Sequence, residues 1–386
     1  MKKIVFFTLV IAVFTACGTN ESFKIEGKLS NSEGGTILLQ ELKSTDKVTL
    51  DSAKINKDGT FKLKGKNNKP AFYSIYLAKN NDITLVINPG NKIIIEADAR
   101  DLPHTYSVKG SKDAELSCAL NKKLNETLKK VSKLGQTYED SLGSRNILAI
   151  RARLDSSYKA IEADQRIFTK EFIRNNSHSL VSIMALYQQI GSKRSVLNPT
   201  EDFDIFKLVD SVMYITFPEA DAVISLHNIM KDLTDSKMAK IATEKRTAIG
   251  ANAPEIALPS IKGDSIKLSS THGKYVLLSF WASWSEPCRN ENPQLVSLYW
   301  HYKYAGFEVF QVSLDRSKEA WLNAMQNDKL FWINVSDLKM WDSPIAKLYG
   351  IESLPANLLL DINGKIIAKN LDINELSSKL KTIFKY

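Results

Sequence analysis

Cysteine is scarce in this sequence: among 386 residues it occurs only at positions 17, 118 and 288. No two of these have the close spacing of metal ligands, and the five histidines, His104, His178, His227, His272 and His301, are equally scattered. Local sequence therefore builds no metal site, and neither a metal nor another cofactor is expected. Arginine-rich runs are lacking too. The net charge of +9 is spread thinly along the chain and reads as solubility or attraction to anionic surfaces, with no nucleic acid expected as a partner. The apolar run from Ile4 to Ala16 is too short to span a bilayer. What the chain does have is length and apolar content: 386 residues at 44% hydrophobic suit two or three domains with sizeable cores and argue against disorder.

Met1-Lys2-Lys3 precedes that apolar run, and Cys17-Gly18 follows it. A charged start, an apolar stretch and a small residue before a cleavage point are the marks of a signal peptide, here residues 1–16. Phe14-Thr15-Ala16-Cys17 resembles a bacterial lipobox. The resemblance implies that Cys17 is the lipidated first residue, that 17–22 is a tether, and that the chain meets a membrane through a lipid anchor. An ordinary signal peptide with an incidental Cys17 is the other reading. Both predict export to the cell envelope, an oxidising compartment. Losing the first sixteen residues lowers the net charge from +9 to +7, because Lys2 and Lys3 are their only charges.

Residues 23–110 show alternation: Phe23, Ile25 and Leu29, then Phe61 and Leu63, then Tyr73, Ile75 and Leu77, then Ile83, Leu85 and Ile87, then Ile93 and Ile95. Lys57-Asp58-Gly59 and Asn88-Pro89-Gly90-Asn91 supply turns. The expectation is a small antiparallel β-sandwich domain, with Phe72 and Tyr76 on a second face that either packs or binds a ligand. Residues 111–248 change to a helical period. Leu116, Leu120, Leu124, Leu128, Val131 and Leu134 make one stripe; Leu148, Leu154, Tyr158, Ile161, Ile167, Phe168 and Phe172 suggest another. Asn198-Pro199-Thr200 and Phe217-Pro218-Glu219 mark helix boundaries, so the region reads as four to six helices whose first task is packing. Cys118 falls about 200° around from Leu116, off the stripe, which predicts an exposed thiol on a regular helix.

Residues 249–386 alternate strands and helices, the pattern of an α/β domain with helices on both faces. Ile256 and Leu258 with Ile266 and Leu268 predict a hairpin, and Tyr275–Phe280 a buried strand. Leu295, Val296, Leu298, Tyr299 and Tyr302 predict the helix that follows it. Further on, Phe307–Asp315 reads as a strand, Ser317–Gln326 and Ser343–Tyr349 as helices, and Asn357–Asp361 and Lys365–Lys369 as strands; Ile373, Leu376, Leu380 and Ile383 predict an amphipathic last helix. Between the first strand and its helix lies Trp281-Ala282-Ser283-Trp284-Ser285-Glu286-Pro287-Cys288-Arg289. The start of that helix, with unpaired N–H groups and aligned dipoles, favours negative charge, above all a thiolate.

Phe280-Trp281-Ala282-Ser283-Trp284, followed two residues later by Pro287-Cys288-Arg289, resembles the active turn of the TlpA/ResA group of thioredoxin-like envelope disulfide reductases, within the redoxin superfamily. Ala253-Pro254, Val312-Ser313-Leu314-Asp315, Ala320-Trp321 and Ser353-Leu354-Pro355-Ala356-Asn357 extend the likeness over nearly all of 249–386. The β domain likewise resembles one found ahead of thioredoxin modules in envelope lipoproteins. These resemblances imply a thioredoxin-like last domain and thiol-disulfide chemistry on envelope proteins, as substrates or binding partners. They also imply a cis bond before Pro355, and a substrate surface of Trp281, Trp284, Glu286, Pro287 and Pro355. One position departs from the pattern: Ser285 matches the attacking cysteine, and Cys288 the buried resolving one.

A serine hydroxyl has no thiolate-like pKa and forms no mixed disulfide, so the two-thiol cycle is closed at Ser285-Glu286-Pro287-Cys288. Three functions stay open. Disulfide exchange is weak or lost while partner binding is retained; or Cys288 exchanges alone or with another thiol such as Cys118; or the turn works as in peroxiredoxins, whose Pro-x-x-x-Thr/Ser-x-x-Cys ends in the peroxide-attacking thiol. In that last case Ser285 holds the peroxide and Cys288 becomes a sulfenic acid. Trp281 stands where that family has its shielding proline, and Arg289 is merely adjacent.

Overall fold

The computed structural model describes residues 21–32, 34–43, 46–191 and 194–385. The signal peptide read at 1–16, Cys17 and most of the 17–22 tether lie outside the described residues. The chain divides into two compact units between Leu233 and Thr234. Among the described residues no helix is long and apolar enough to cross a membrane.

The first unit opens with strands β1 (Ser22–Ser30), β2 (Thr36–Leu42), β3 (Lys47–Lys54), β4 (Thr60–Lys66), β5 (Ala71–Ala78), β6 (Asn81–Ile87) and β7 (Lys92–Asp98). A short helix α1 (Leu102–Thr105) and strand β8 (Ser107–Lys109) follow. They form two four-stranded sheets, ordered β4-β1-β7-β8 and β3-β2-β5-β6. Alternation places Phe23, Ile25, Leu29, Phe61, Leu63, Ile93 and Ile95 of one sheet against Ile37, Leu39, Tyr73, Ile75 and Leu85 of the other. The rings of Phe23 and Tyr73 meet with centroids 5.0 Å apart. One pair departs from the expected antiparallel pairing: β1 and β7 run parallel, Ile25 beside Ile93. The chain reaches β7 only after forming the second sheet, and that excursion supplies the crossover a parallel pair needs. The alternation reading passed over β2, whose Ile37 and Leu39 are buried, and β3, whose apolar Val48 and Leu50 are exposed.

Helices α2 (Lys112–Asp140), α3 (Ile147–Asn175), α4 (Val181–Leu186), α5 (Phe203–Thr216) and α6 (Asp221–Arg246) follow, with two-residue strands β9 (Gln189–Ile190) and β10 (Arg194–Ser195) between α4 and α5. Ser111 caps α2, accepting from the Ala114 N–H. The helices cover the outer face of the second sheet: Phe72 and Val86 pack with Leu120, Phe172, Ile183, Phe206, Val209 and Leu226. Within this core Thr127 donates to Gln165 at 2.6 Å, and Gln165 to Gln188 at 3.2 Å, so the buried polar groups satisfy one another. Two expectations need correction. Cys118 is half-buried against the sandwich core, its thiol directed at the Tyr106 carbonyl 3.5 Å away, because the β domain covers the side of α2 that the leucine stripe leaves free. The second apolar stripe is core only at its end: Phe172 is buried, whereas Leu148 is 79% and Ile167 60% exposed.

In the second unit a hairpin of β11 (Ala257–Pro259) and β12 (Ser265–Lys267) leads into β13 (Tyr275–Trp281), then α7 (Glu286–Tyr302), β14 (Phe307–Ser313), α8 (Lys318–Asn327), β15 (Ile333–Val335), α9 (Pro344–Tyr349), β16 (Ala356–Leu360), β17 (Ile366–Lys369) and α10 (Ile373–Phe384). The five-stranded sheet is ordered β15-β14-β13-β16-β17, with β13 central, parallel to β14 and antiparallel to β16. Both faces of β13 are buried, as its continuous apolar run predicts. Leu277 and Trp281 face the core under α7, α8 and α10; Val276, Leu278 and Phe280 face the opposite core with Ile256 and Tyr349. An Asp372–Glu375 capping box starts α10. This mixed five-stranded sheet with helices on both faces is the thioredoxin-like arrangement.

Candidate functional site

The site forms where the central strand ends. β13 delivers its chain into a turn at Ala282–Ser285, and α7 starts at once with Ser285 as N-cap, Glu286 and Pro287 in its first turn and Cys288 third. Proline suits this place, because its missing N–H is one the first turn leaves unpaired in any case. The turn is tied from below. The Ser283 hydroxyl donates to Asp315 at 2.6 Å, the Ser283 N–H points to the same carboxylate, and Ser313 donates to it at 2.7 Å. Asp315 is buried just beyond β14, so the strand beside β13 fixes the turn that β13 feeds.

Ser285 and Cys288 come together, both buried, the cysteine only 2% exposed. Burial pushes the Cys288 thiol above its ordinary range; a hydrogen bond with Ser285 pulls the other way, and the Glu291 charge adds to the rise. The helix terminus favours a thiolate, by about 0.3–1 kcal/mol at an exposed site and up to about 2 kcal/mol in a partly buried one, and so acts against that rise. Arg289 is committed elsewhere: its Nε and Nη2 donate to Asp328 at 2.5 and 2.8 Å, and Nη1 to the Ser283 carbonyl at 3.2 Å. Asn292 donates to the same Asp328 at 2.7 Å.

Of the residues read as a substrate surface, Glu286, Pro287 and Pro355 are exposed, and Trp284 is half-exposed. The Trp284 indole N–H donates to the Leu314 carbonyl at 3.2 Å, which holds its ring outward against Trp341, centroids 6.1 Å apart. Trp281 is the exception. It is 1% exposed in the core below the turn, because it shares the β13 face of Leu277; it supports the surface and does not line it. The Leu354–Pro355 peptide is cis. Pro355 and Pro287 face a groove of about 470 Å³ whose lining includes Glu291, Asn357 and Asp372. Sequence reasoning missed Glu291, whose carboxyl is pushed up by burial and by the neighbouring Asp372 charge. Its spacing of three from Cys288 on a predicted helix was the available signal. Cys118 and Cys288 are both free thiols. Among the described residues no cluster of three potential metal ligands occurs.

The AhpC/TSA family matches residues 249–369, and a domain described only as of unknown function (DUF4369) matches residues 23–116. The chain is 33% identical over 129 residues to the thiol-disulfide oxidoreductase ResA of Bacillus subtilis, covering 33% of this chain and 70% of that one. The chain belongs to the ResA-like thiol-disulfide oxidoreductase family. ResA of Bacillus thuringiensis is 34% identical over 125 residues, covering 32% of this chain and 70% of the relative. Among solved structures, a thiol-disulfide oxidoreductase from Bacteroides fragilis is 38% identical, covering 34% of this chain and 98% of that one, with a TM-score of 0.33. The thioredoxin domain of a thiol-disulfide oxidoreductase from Bacteroides vulgatus is 36% identical over 36% of this chain and 98% of that one, with a TM-score of 0.34. The AhpC/TSA match thus lies within the second unit and the DUF4369 match within the first.

Proposed function

We propose that this chain is an exported envelope protein of the ResA-like family that binds extended segments of envelope partners at its thioredoxin-like turn, with disulfide exchange weak or lost. The observation that carries the reading is Cys288, the sole thiol of the turn, 2% exposed, where burial pushes its thiol above the ordinary range. Disulfide exchange begins when a thiolate attacks one sulfur of a disulfide and expels the other. Ser285 supplies no thiolate, and Cys288 supplies little and is poorly reachable. The binding elements are kept: the groove beside Pro287 and Pro355, and the outward ring of Trp284. Signal cleavage after Ala16 and lipidation of Cys17 complete this reading by tethering the chain to a membrane.

A peroxidase reading gains no activating cation from Arg289, whose guanidinium is engaged by Asp328. Monothiol exchange through Cys288 is the surviving alternative, and labelling separates the two. With Cys118→Ala removing the other described thiol, Cys288 in the folded chain is expected to react with iodoacetamide far more slowly than after denaturation. Rapid labelling of the folded chain with an apparent pKa below about 7.5 marks an activated thiolate and overturns the proposal.

A further inference from the structure

The antiparallel pair α2 and α3 is long for what it packs against. Each helix has 29 residues, about 43 Å at 1.5 Å per residue. Yet the buried residues of α2 end at Thr127, and those of α3 begin at Gln165. The far half of the pair carries no fully buried side chain and projects as a helical hairpin. Leu142 at its tip is 60% exposed and Leu148, the second residue of α3, 79%.

The tip also concentrates one kind of charge. From Ser141 to Leu154 there is no acidic residue, while three of the protein's ten arginines, Arg145, Arg151 and Arg153, fall among Leu142, Ile147, Leu148, Ile150 and Leu154. All three arginines are exposed, and none has an ion-pair partner among the described residues. Arg145 immediately precedes the N-cap of α3, whose first turn holds no acid; a cation there opposes the helix dipole. Glu139 and Asp140 close α2 behind the tip, where acids are equally unfavourable. Such an arrangement costs the isolated hairpin stability, and Arg145, in the connection between the helices, stands foremost among the charged residues.

We propose that the tip of the α2–α3 hairpin docks onto an anionic lipid surface, its leucines entering the headgroup–acyl boundary and Arg145, Arg151 and Arg153 meeting lipid phosphates. Apolar and cationic side chains on one small end are what such an interface selects. A second copy of the chain fits less well, because tip-to-tip pairing sets three unpaired arginines against three. The inference does not depend on the redox state of the second unit.

The test uses the chain from Gly18 onward, which keeps every described residue and has no lipid anchor. It is sedimented with vesicles of phosphatidylcholine alone and of phosphatidylcholine with phosphatidylglycerol. Binding is expected only to the second kind. Each Arg→Gln change is expected to weaken it about fivefold, and Arg145→Gln, Arg151→Gln and Arg153→Gln together roughly a hundredfold. Leu142→Ser with Leu148→Ser is expected to leave binding at low salt and remove it at physiological salt, where screening is strong. These side chains are exposed, so circular dichroism should show all variants folded. Absence of binding to either vesicle, or binding that survives the triple arginine change, overturns the proposal. So does self-association abolished by Leu148→Ser, which makes the tip a protein interface.

Discussion

Glu291 is the residue whose environment reaches the thiol. Burial and Asp372 raise its carboxyl above the ordinary range, and its charge in turn raises Cys288. A carboxyl raised on folding binds more protons in the folded than in the unfolded state, so stability falls as pH rises from the ordinary carboxylate range through the raised value. Glu291→Gln should therefore match the parent in acid and be more stable at neutral pH, as urea unfolding at two pH values will show. The same change should move the pH profile of the slow Cys288 labelling of the folded chain to lower pH, since a negative neighbour is gone. Asp315 is the structural counterpart: Asp315→Ala strands the Ser283 and Ser313 groups that donate to it and should cost about 2–3 kcal/mol in urea unfolding. Neither residue was legible as part of the site. Ser285, Pro287 and Cys288 are contiguous and carry their own pattern, whereas Asp315 meets Ser283 across 32 positions and Glu291 matters through a groove only the fold creates. Trp281 and Trp284 look alike in the sequence; the phase of β13 buries the first, and the turn beyond the strand holds the second outward.

At the level of elements, regular period made structure readable where one face was buried and the other wet. Strands β1 and β4 to β7 of the β domain, the near half of α2, and α7 follow from that, while β13, buried on both faces, is legible as a continuous apolar run. The three-residue β15, the exposed β3 and the parallel β1–β7 pair do not, because pairing partners and edge strands leave no periodic trace. The α3 stripe shows the opposite failure: apolar spacing at Leu148 and Ile167 promised a core that the projecting hairpin does not supply. Gly27 in β1 has a close-packing role that spacing alone misses. A Cβ there would lie 2.1 Å from the Phe61 ring. Gly27→Ala should accordingly cost about 1–3 kcal/mol by overpacking. Adding Phe61→Leu should recover part of that loss, because the two sites share one space. Chemical denaturation of the two single variants and the double variant checks it; strict additivity would show that the ring is not the obstacle.

Among the described residues, buried side chains form four main clusters, two in the first unit and two in the second, divided by a boundary inside α6. Chains so divided commonly leave two-state behaviour, so heating should give two resolvable transitions. Ile75→Ala in the β domain and Leu278→Ala in β13 each remove a buried side chain worth about 2–5 kcal/mol, and each should lower a different transition. Cys288 identifies which is which. Its thiol is 2% exposed in the folded chain, so in a Cys118→Ala background alkylation during a thermal scan should follow the Leu278-sensitive transition and ignore the Ile75-sensitive one. If both substitutions shift one common transition, and labelling follows it, the β domain and the thioredoxin-like unit unfold together. The concealment of Cys288 would then depend on the stability of the entire chain. If labelling instead keeps to the second unit, the guarded thiol is a local property of the turn between β13 and α7, and the β domain can be destabilised without releasing it.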